Sequence, residues 1–464
     1  MAIFVTPPIF AENNQPKKVV IVGAGLAGLT TAYRLQQNGM EVDVYEARNR
    51  VGGRILTVKI GDKIAELGAQ SIINDGASNH ILRLIEELNL DVVENKVNRN
   101  QSYFDGKELI PLPQLLKNKQ FDPKELRIQL NNLALTSKNM REVLNGILEE
   151  EDPFYKVLAV RLANYEGAAI EKLSTYYTEA LYHMLLSALA AARKEEENFT
   201  SLLSIKGGNA LLPEKLAQKL EDKLHFNQVL KIISKQPDDS FILTFQNGLQ
   251  VKADIVVLAM PSSVYENIIF EENILPSKRL DDMKSVKYGT NAKIMIPFFH
   301  SPPKGIRFNN DDVGCAFDIS NNILTLHYIN SLGPFSSETI LDIYKQNRCM
   351  IETVFRDTCP PFASPVIAED KAFAIYKGPI GYSWPTDPYA KGSYFYIAPG
   401  QESLLMAVTQ EQEELVRTLF APIDQKLYFV GEHTSILKEA FGTMEAACES
   451  GERISRLILK ANGA

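Results

Sequence analysis

This 464-residue sequence predicts an α/β fold built on a parallel sheet, and three observations carry that expectation. A strand, a glycine-rich turn, a helix and a second strand follow one another near the N-terminus. Strand-like runs recur between residues 226 and 258. A last strand and turn lead into a long helical pattern that reaches Leu459.

The first strand is read from Lys17-Lys18-Val19-Val20-Ile21-Val22, a β-branched apolar run of the kind buried on both faces of a parallel sheet. Gly23-Ala24-Gly25-Leu26-Ala27-Gly28 then opens a helical pattern over residues 29–35, and Gly39 closes it. Glu41-Val42-Asp43-Val44-Tyr45 is the second strand and ends on Glu46, an acid roughly 20 residues beyond the glycines. In this dinucleotide-binding unit of Rossmann type, Gly23 makes the tight turn, Gly25 admits a pyrophosphate to the backbone, and Gly28 lets helix and strand pack closely. The helix N-terminus offers unpaired N–H groups and partial positive charge to the pyrophosphate. Leu26 and Ala27 present those amides, and Glu46 would accept hydrogen bonds from a ribose 2′-hydroxyl, an arrangement that disfavours NADP.

Composition narrows the partners. Hydrophobic residues make up 45% and charged residues 23%, the balance of an ordinary globular chain, so neither a disordered nor a membrane-embedded protein is expected. The 49 Lys and Arg against 57 Asp and Glu give a net charge of −8, which repels nucleic acid and leans towards cationic partners. Length alone suggests two or three consecutive domains at about 150 residues each. The four cysteines form no C-x-x-C and the six histidines no ligand spacing, so no metal is expected. No apolar run approaches the ~20 residues of a membrane span. Residues 1–16 are read as a disordered or signal-like N-terminus: Phe10-Ala11-Glu12 could close a signal peptide, but the stretch lacks a basic start and contains Pro7-Pro8. The expected compartment is therefore cytoplasmic, with periplasmic or secreted as the alternative.

Downstream of Glu46, the run Ala47-Arg48-Asn49-Arg50-Val51-Gly52-Gly53-Arg54 resembles the second glycine motif of the flavin amine oxidase superfamily. That superfamily includes monoamine and polyamine oxidases, L-amino acid oxidases, protoporphyrinogen oxidase and phytoene desaturases. The resemblance implies that Gly52, Gly53 and Arg54 lie against FAD phosphates and ribityl chain, with Ala47 and Arg48 nearby. Two glycines permit close approach, and two arginines neutralise a pyrophosphate. A basic turn after a strand is the plainer reading of the same residues. The resemblance extends at intervals over nearly the whole chain. Ala65-Glu66-Leu67-Gly68-Ala69-Gln70 is similar to the segment that passes the flavin face, and Lys206 to Leu211 to the turn before the next helix. Residues 226–235, 241–246 and 251–258 read as strands, the first bringing Val229 to the adenine. Gly431-Glu432-His433-Thr434 and Phe441-Gly442-Thr443-Met444 match the closing motif, whose helix points its amides at the flavin; Gly431, Glu432, Thr443 and Met444 are the cofactor residues there.

Lys293 stands out on physical grounds, being a lysine inside the apolar run Ala292 to Pro297. It matches the family's active-site lysine, which holds a water against flavin N5; the competing reading is an edge-strand lysine that blocks aggregation. The segment Trp384-Pro385-Thr386-Asp387-Pro388-Tyr389 through Tyr394 resembles the family's flavin-face segment, with Trp384 against the cofactor and Tyr394 as one wall of an amine cage. Aromatic packing is the alternative there. Ser393 stands where monoamine oxidases carry the flavin-bonding cysteine, which implies noncovalent FAD. Thr443 replaces the second cage tyrosine, leaving a substrate pocket of Gln70, Tyr394 and Thr443. Ser71 occupies the position of the carboxylate-binding arginine of L-amino acid oxidases, which weakens an amino-acid reading.

The expectation is thus a Rossmann-like FAD-binding domain from residues 17–98, 201–270 and 393–464, with an inserted α+β substrate-binding domain from 99–200 and 271–392. The lysine- and glutamate-rich run after Arg193 is read as a solvated helix end, and Ser301-Pro302-Pro303 as a turn. The implied activity is FAD-dependent oxidation of primary or secondary amines, with hydride transfer to flavin and O2 reduced to hydrogen peroxide. Homodimerisation is left open. L-amino acid oxidase, desaturase or protoporphyrinogen-type oxidase are the alternatives within the superfamily. A flavin-free binding protein of the GDP-dissociation-inhibitor type is the alternative outside enzymes.

Overall fold

The computed structural model describes residues 17–60, 63–74, 76–98, 102–105, 108–193, 199–297, 313–318, 323–346 and 379–463. The N-terminal stretch, the residues after Arg193 and Ser301-Pro302-Pro303 lie outside them.

Five strands form the central parallel sheet in the order Leu224–His225, Glu41–Tyr45, Lys18–Val22, Ile255–Leu258 and Leu427–Phe429. Val19, Val20 and Ile21 are wholly buried in its middle, as a continuous β-branched run requires. Two helices, Leu26–Gln37 and Met444–Ala461, pack against each other beside it. Their crossing is tight because Gly451 has no side chain: a Cβ there would stand 2.6 Å from the Ala27 carbonyl. The sheet therefore joins strands from both ends of the chain.

The run 251–258 is two strands rather than one. Gln250–Ala253 belongs to an antiparallel sheet with Phe241–Phe245, Leu230–Lys235 and Ile269–Phe270, whereas Ile255–Leu258 joins the parallel sheet. Asp254 marks the switch: its N–H donates to the Lys18 carbonyl and its carboxylate accepts from the Lys18 N–H. The strand expected from Phe226 begins only at Leu230. Asn227, in the left-handed region at φ 58, and Gln228 instead donate their N–H groups to the carbonyls of Arg48 and Glu46.

The remaining residues supply helices and a second antiparallel sheet. Pro123–Thr136, Met140–Asn145 and Pro153–Glu166 each begin on a side-chain cap, Asp122, Asn139 and Asp152 respectively. Pro153–Glu166 ends on Gly167, whose φ of 92 only glycine adopts without strain. Thr178–Arg193 follows after a short 3-10 turn, Thr175–Tyr177. The sheet has the order Val313–Asp318, Ile323–Tyr328, Ala292–Pro297 and Ile380–Ser383, so Ala292–Pro297 is an interior strand.

Candidate active site

A cavity of about 1310 Å³ opens between the carboxyl ends of the parallel strands and the helices and sheet that follow them. Its dinucleotide end is built by the first turn. Gly23 has φ 113, and a Cβ on it would stand 2.8 Å from the Ala259 carbonyl. Gly28 is the only predicted site residue that does not line the cavity: a Cβ there would collide with the Gly23 carbonyl and reach 2.9 Å from Ala259 Cβ. Its place is the helix–strand contact. Gly25 faces open space, with nothing within 4 Å of its missing Cβ, and Leu26 and Ala27 line the cavity beside it. The helix begins there without a side-chain cap, leaving its first-turn amides to a ligand.

Glu46 is 4% exposed. Its carboxylate accepts from the Ala24 N–H at 2.7 Å and the Arg48 N–H at 2.9 Å, so it also fixes the glycine turn. Ala47, Gly52 and Gly53 line the cavity, and Gly53 would bring a Cβ within 3.3 Å of Gly25 Cα. Val229 lies there too, beside Gln228.

The two predicted arginines line the cavity, and each is paired with a carboxylate of the chain. Arg48 pairs with Asp387 and sits over the Tyr389 ring at 5.2 Å. Burial works against the Asp387 charge, but Arg48 and the Tyr382 hydroxyl outweigh it and hold the carboxyl below its usual range. Arg54 pairs with Glu432 at 3.0 Å, and Glu432 also accepts from the N–H groups of Phe395 and Gly442. One carboxylate thereby ties the second glycine motif to the two C-terminal segments.

At the other end Lys293 points into the cavity. Its ammonium donates to the carbonyls of Glu66 (3.2 Å) and Gly68 (2.7 Å) and to Gln70 Oε1 (3.0 Å). Because its strand is interior, the edge-strand reading falls. Gly68 and Ala69 line the cavity in a turn with no room for a Cβ at Gly68, which would strike the Arg54 carbonyl. Trp384, 3% exposed, donates its indole N–H to the Leu67 carbonyl. Tyr394 donates its hydroxyl to the Asn164 carbonyl, and its ring lies 3.2 Å from the position a Gly167 Cβ would take. Thr443 caps the C-terminal helix by accepting from the Ala446 N–H; Met444 and Gly431 complete this wall.

Other lining residues escaped the sequence reading. Asn291 donates to the Asn164 carbonyl at 3.3 Å, beside Tyr394. Arg161, Glu166, Tyr176 and Tyr177 come from the helical region, where periodicity reveals a buried face but not what it faces. The glycine after Glu166 was the available signal, since it marks a helix end. Burial raises the Glu166 carboxyl to about 8. His433 is 2% exposed, its ring nitrogens have no hydrogen-bond partner among the described residues, and burial together with the Arg54 charge pushes it down to about 3. It is neutral. No cysteine is among the residues lining the cavity, and the described residues hold no cluster of metal ligands. Among them no helix is long and apolar enough to cross a membrane.

Comparison with known proteins places these features. The L-amino-acid oxidase of Demansia vestigiata is 24% identical over 97% of this chain and 88% of its own, and that of Bothrops atrox 25% identical over 97% and 90%. Among solved structures, a putrescine oxidase variant superposes with a TM-score of 0.71 at 18% identity, covering 96% of this chain and 99% of its own. Cyclohexylamine oxidase from Brevibacterium oxydans gives 0.71 at 17% identity, covering 97% and 100%. The fold is therefore the Rossmann-like FAD-binding fold of amine oxidases. The profile of the flavin containing amine oxidoreductases matches residues 26–331 and 380–459, and with this cavity and these motifs the chain belongs to that family of oxidoreductases.

Proposed function

We propose that the protein is an FAD-dependent oxidase of primary or secondary amines that holds its cofactor noncovalently and uses O2. The observation that carries the amine assignment is the character of the cavity beside Lys293 and Tyr394. Glu166, which has neither a hydrogen bond nor an ion pair among the described residues, ends the helix Pro153–Glu166, where the helix dipole is negative. Tyr176, Tyr177 and Tyr394 line the same region and feel its charge. A carboxylate, a negative helix end and tyrosine faces favour a cation.

The residues present fit FAD. Open space at Gly25, uncapped helix amides and buried Glu46 suit a pyrophosphate and a ribose, and the cavity continues without a break to Lys293. Bound flavin supplies the acceptor for the hydride from the amine α-carbon, leaving an imine that hydrolyses to an aldehyde, while O2 accepts the electrons and becomes hydrogen peroxide. Tyr394, held by Asn164, walls the space in which the amine is oriented. Lys293 fixes the Glu66–Gln70 turn and places an ammonium beside the reacting groups. Ser393 at the flavin-facing segment and the absence of cysteine from the lining residues support noncovalent attachment.

L-amino acid oxidation is the second reading. Arg161 lines the same cavity and is 9% exposed, although the residue has interactions of its own within the fold. The test is the absorption spectrum of the purified protein followed by anaerobic bleaching with diamines, polyamines, aryl amines and amino acids. Bleaching by amines is expected; a yellow protein bleached only by amino acids overturns the amine assignment.

A further inference from the structure

We propose that the Glu166 carboxylate takes the proton from the bound substrate ammonium, converting it to the free amine that is then oxidised. The inference rests on the amine-oxidase reading above. An alkyl amine near neutral pH arrives protonated, with no lone pair on nitrogen to support loss of hydride from the α-carbon. The proton must leave inside a cavity where water is restricted.

The other acids and bases at the reactive end are committed. The Lys293 ammonium is held by three oxygens. Glu432 is taken by Arg54 and two backbone N–H groups. Tyr394 donates to the Asn164 carbonyl, and Tyr177 accepts from the Ile397 N–H; burial raises both hydroxyls far above the range in which they would act as bases. At the mouth, Glu179 pairs with Arg127 and His183, and Lys438 and Glu439 are exposed. Among the described residues lining the cavity, the carboxylates of Glu166 and Glu439 have no hydrogen bond or ion pair, and Glu439 is exposed at the mouth whereas Glu166 sits in the wall.

Its surroundings suit the task. Asn164, two residues earlier, carries the carbonyl that receives both Tyr394 and Asn291, and Asn291 immediately precedes the strand Ala292–Pro297 that carries Lys293. Gly167, the next residue, lies against the Tyr394 ring. The carboxylate thus belongs to the wall where the amine is oriented. The positive groups that share the cavity include Arg161 on the same helix and Lys293 on the strand Ala292–Pro297, with His327 paired to Lys293 in register on the neighbouring strand; Arg48, Arg54 and Lys231 also line it, as do His183 and Lys438 at its mouth. Burial and the helix C-terminus both oppose ionisation, and a carboxyl pushed up to about 8 is a stronger proton acceptor than an ordinary carboxylate. In the step, the substrate N–H bond breaks and a Glu166 O–H bond forms. The electron pair stays on nitrogen, and a charged pair becomes a neutral one, which a poorly solvated site favours.

The test compares wild type with Glu166→Gln and Glu166→Asp, each carrying its flavin, whose absorption reports that the fold is intact. tert-Butylamine has no hydrogen on its α-carbon and is not oxidised, so its binding can be followed by calorimetry in buffers of different ionisation enthalpy. Wild type should release about one proton per amine bound at about pH 7 and almost none at about pH 9, because Glu166 then starts ionised and keeps the proton. In Glu166→Gln the proton count should not change with pH. Anaerobic flavin reduction by n-butylamine should fall roughly 100-fold in Glu166→Gln at about pH 8 and climb with the free-amine fraction as pH rises, and Glu166→Asp should recover part of the loss. Equal proton counts, or equal pH profiles of reduction, in wild type and Glu166→Gln overturn the inference while leaving amine oxidation intact. A coloured wild type that no amine bleaches overturns both.

Discussion

Arg54 and Glu432 meet at 3.0 Å across 378 residues of sequence, and the Glu432 carboxylate, 5% exposed, then spans to the N–H groups of Phe395 and Gly442. The pair sets the distance between the second glycine motif and the C-terminal segments. Glu432→Ala would leave a largely buried guanidinium and two backbone donors unmatched, a loss of about 3 kcal/mol. Chemical denaturation should show that loss together with a lower flavin content. Wild-type stability in this variant would mean the pair is not what joins the segments.

Gly25 and Gly28 should behave differently although both belong to one motif. Gly28→Ala places a methyl against the Gly23 carbonyl and Ala259, so the helix must move and the whole protein should lose about 2 kcal/mol or more. Gly25→Ala meets no atom within 4 Å, at φ −73, and should leave apoprotein stability within about 0.5 kcal/mol of wild type. Its methyl would instead occupy the space of the pyrophosphate, so flavin affinity should fall roughly tenfold or more. Thermal unfolding of the apoproteins and flavin titration separate the two effects.

What the sequence revealed follows what local chemistry can encode. The turn at Gly23 to Gly28, the buried run Val19 to Val22 and the helix after Thr443 are contiguous signals, and each was legible from a few residues. The division at Asp254 was not, because an apolar run continues through it and only pairing with Lys18 shows that the chain changes sheets. The pairing of Arg48 with Asp387 spans 339 residues and leaves no periodic trace. Glu166 was hidden for a further reason: a glutamate before a glycine reads as an exposed helix end unless one knows that this end opens into a cavity.

The pH dependence of stability has one identifiable contributor far from the chemistry. His80 Nδ1 lies 2.7 Å from Glu445, which also accepts the N–H groups of His80 and Ile81 at the start of the helix Asn79–Glu87. The hydrogen bond to Glu445 raises His80 above its usual value. A group raised on folding contributes fully below its unfolded value, near 6.5, and loses that contribution as pH rises through its folded value. His80→Gln should therefore cost about 1 kcal/mol at about pH 6 and clearly less at about pH 9. Denaturation midpoints of the two proteins should converge with rising pH; a gap that is constant or widens would contradict the pairing.

Lys293 offers the sharpest separation of structure from chemistry at the reactive end. Its ammonium is held by the carbonyls of Glu66 and Gly68 and the amide oxygen of Gln70, so it both pins a turn and places positive charge in the cavity. Lys293→Met keeps the length of the side chain but not its donors, leaving acceptors in a half-buried turn to water, at a cost of about 1–2 kcal/mol. Lys293→Arg restores donors and charge to the turn but on a bulkier, planar group that places its charge differently in the cavity. If the lysine served the turn alone, Arg would recover stability and turnover together. If it also acts at the reacting groups, Arg should recover stability while oxidation remains roughly tenfold or more below wild type. Unfolding midpoints and single-turnover rates measured on flavin-saturated samples of all three proteins distinguish these outcomes, and full turnover in Lys293→Met would remove the lysine from the chemistry.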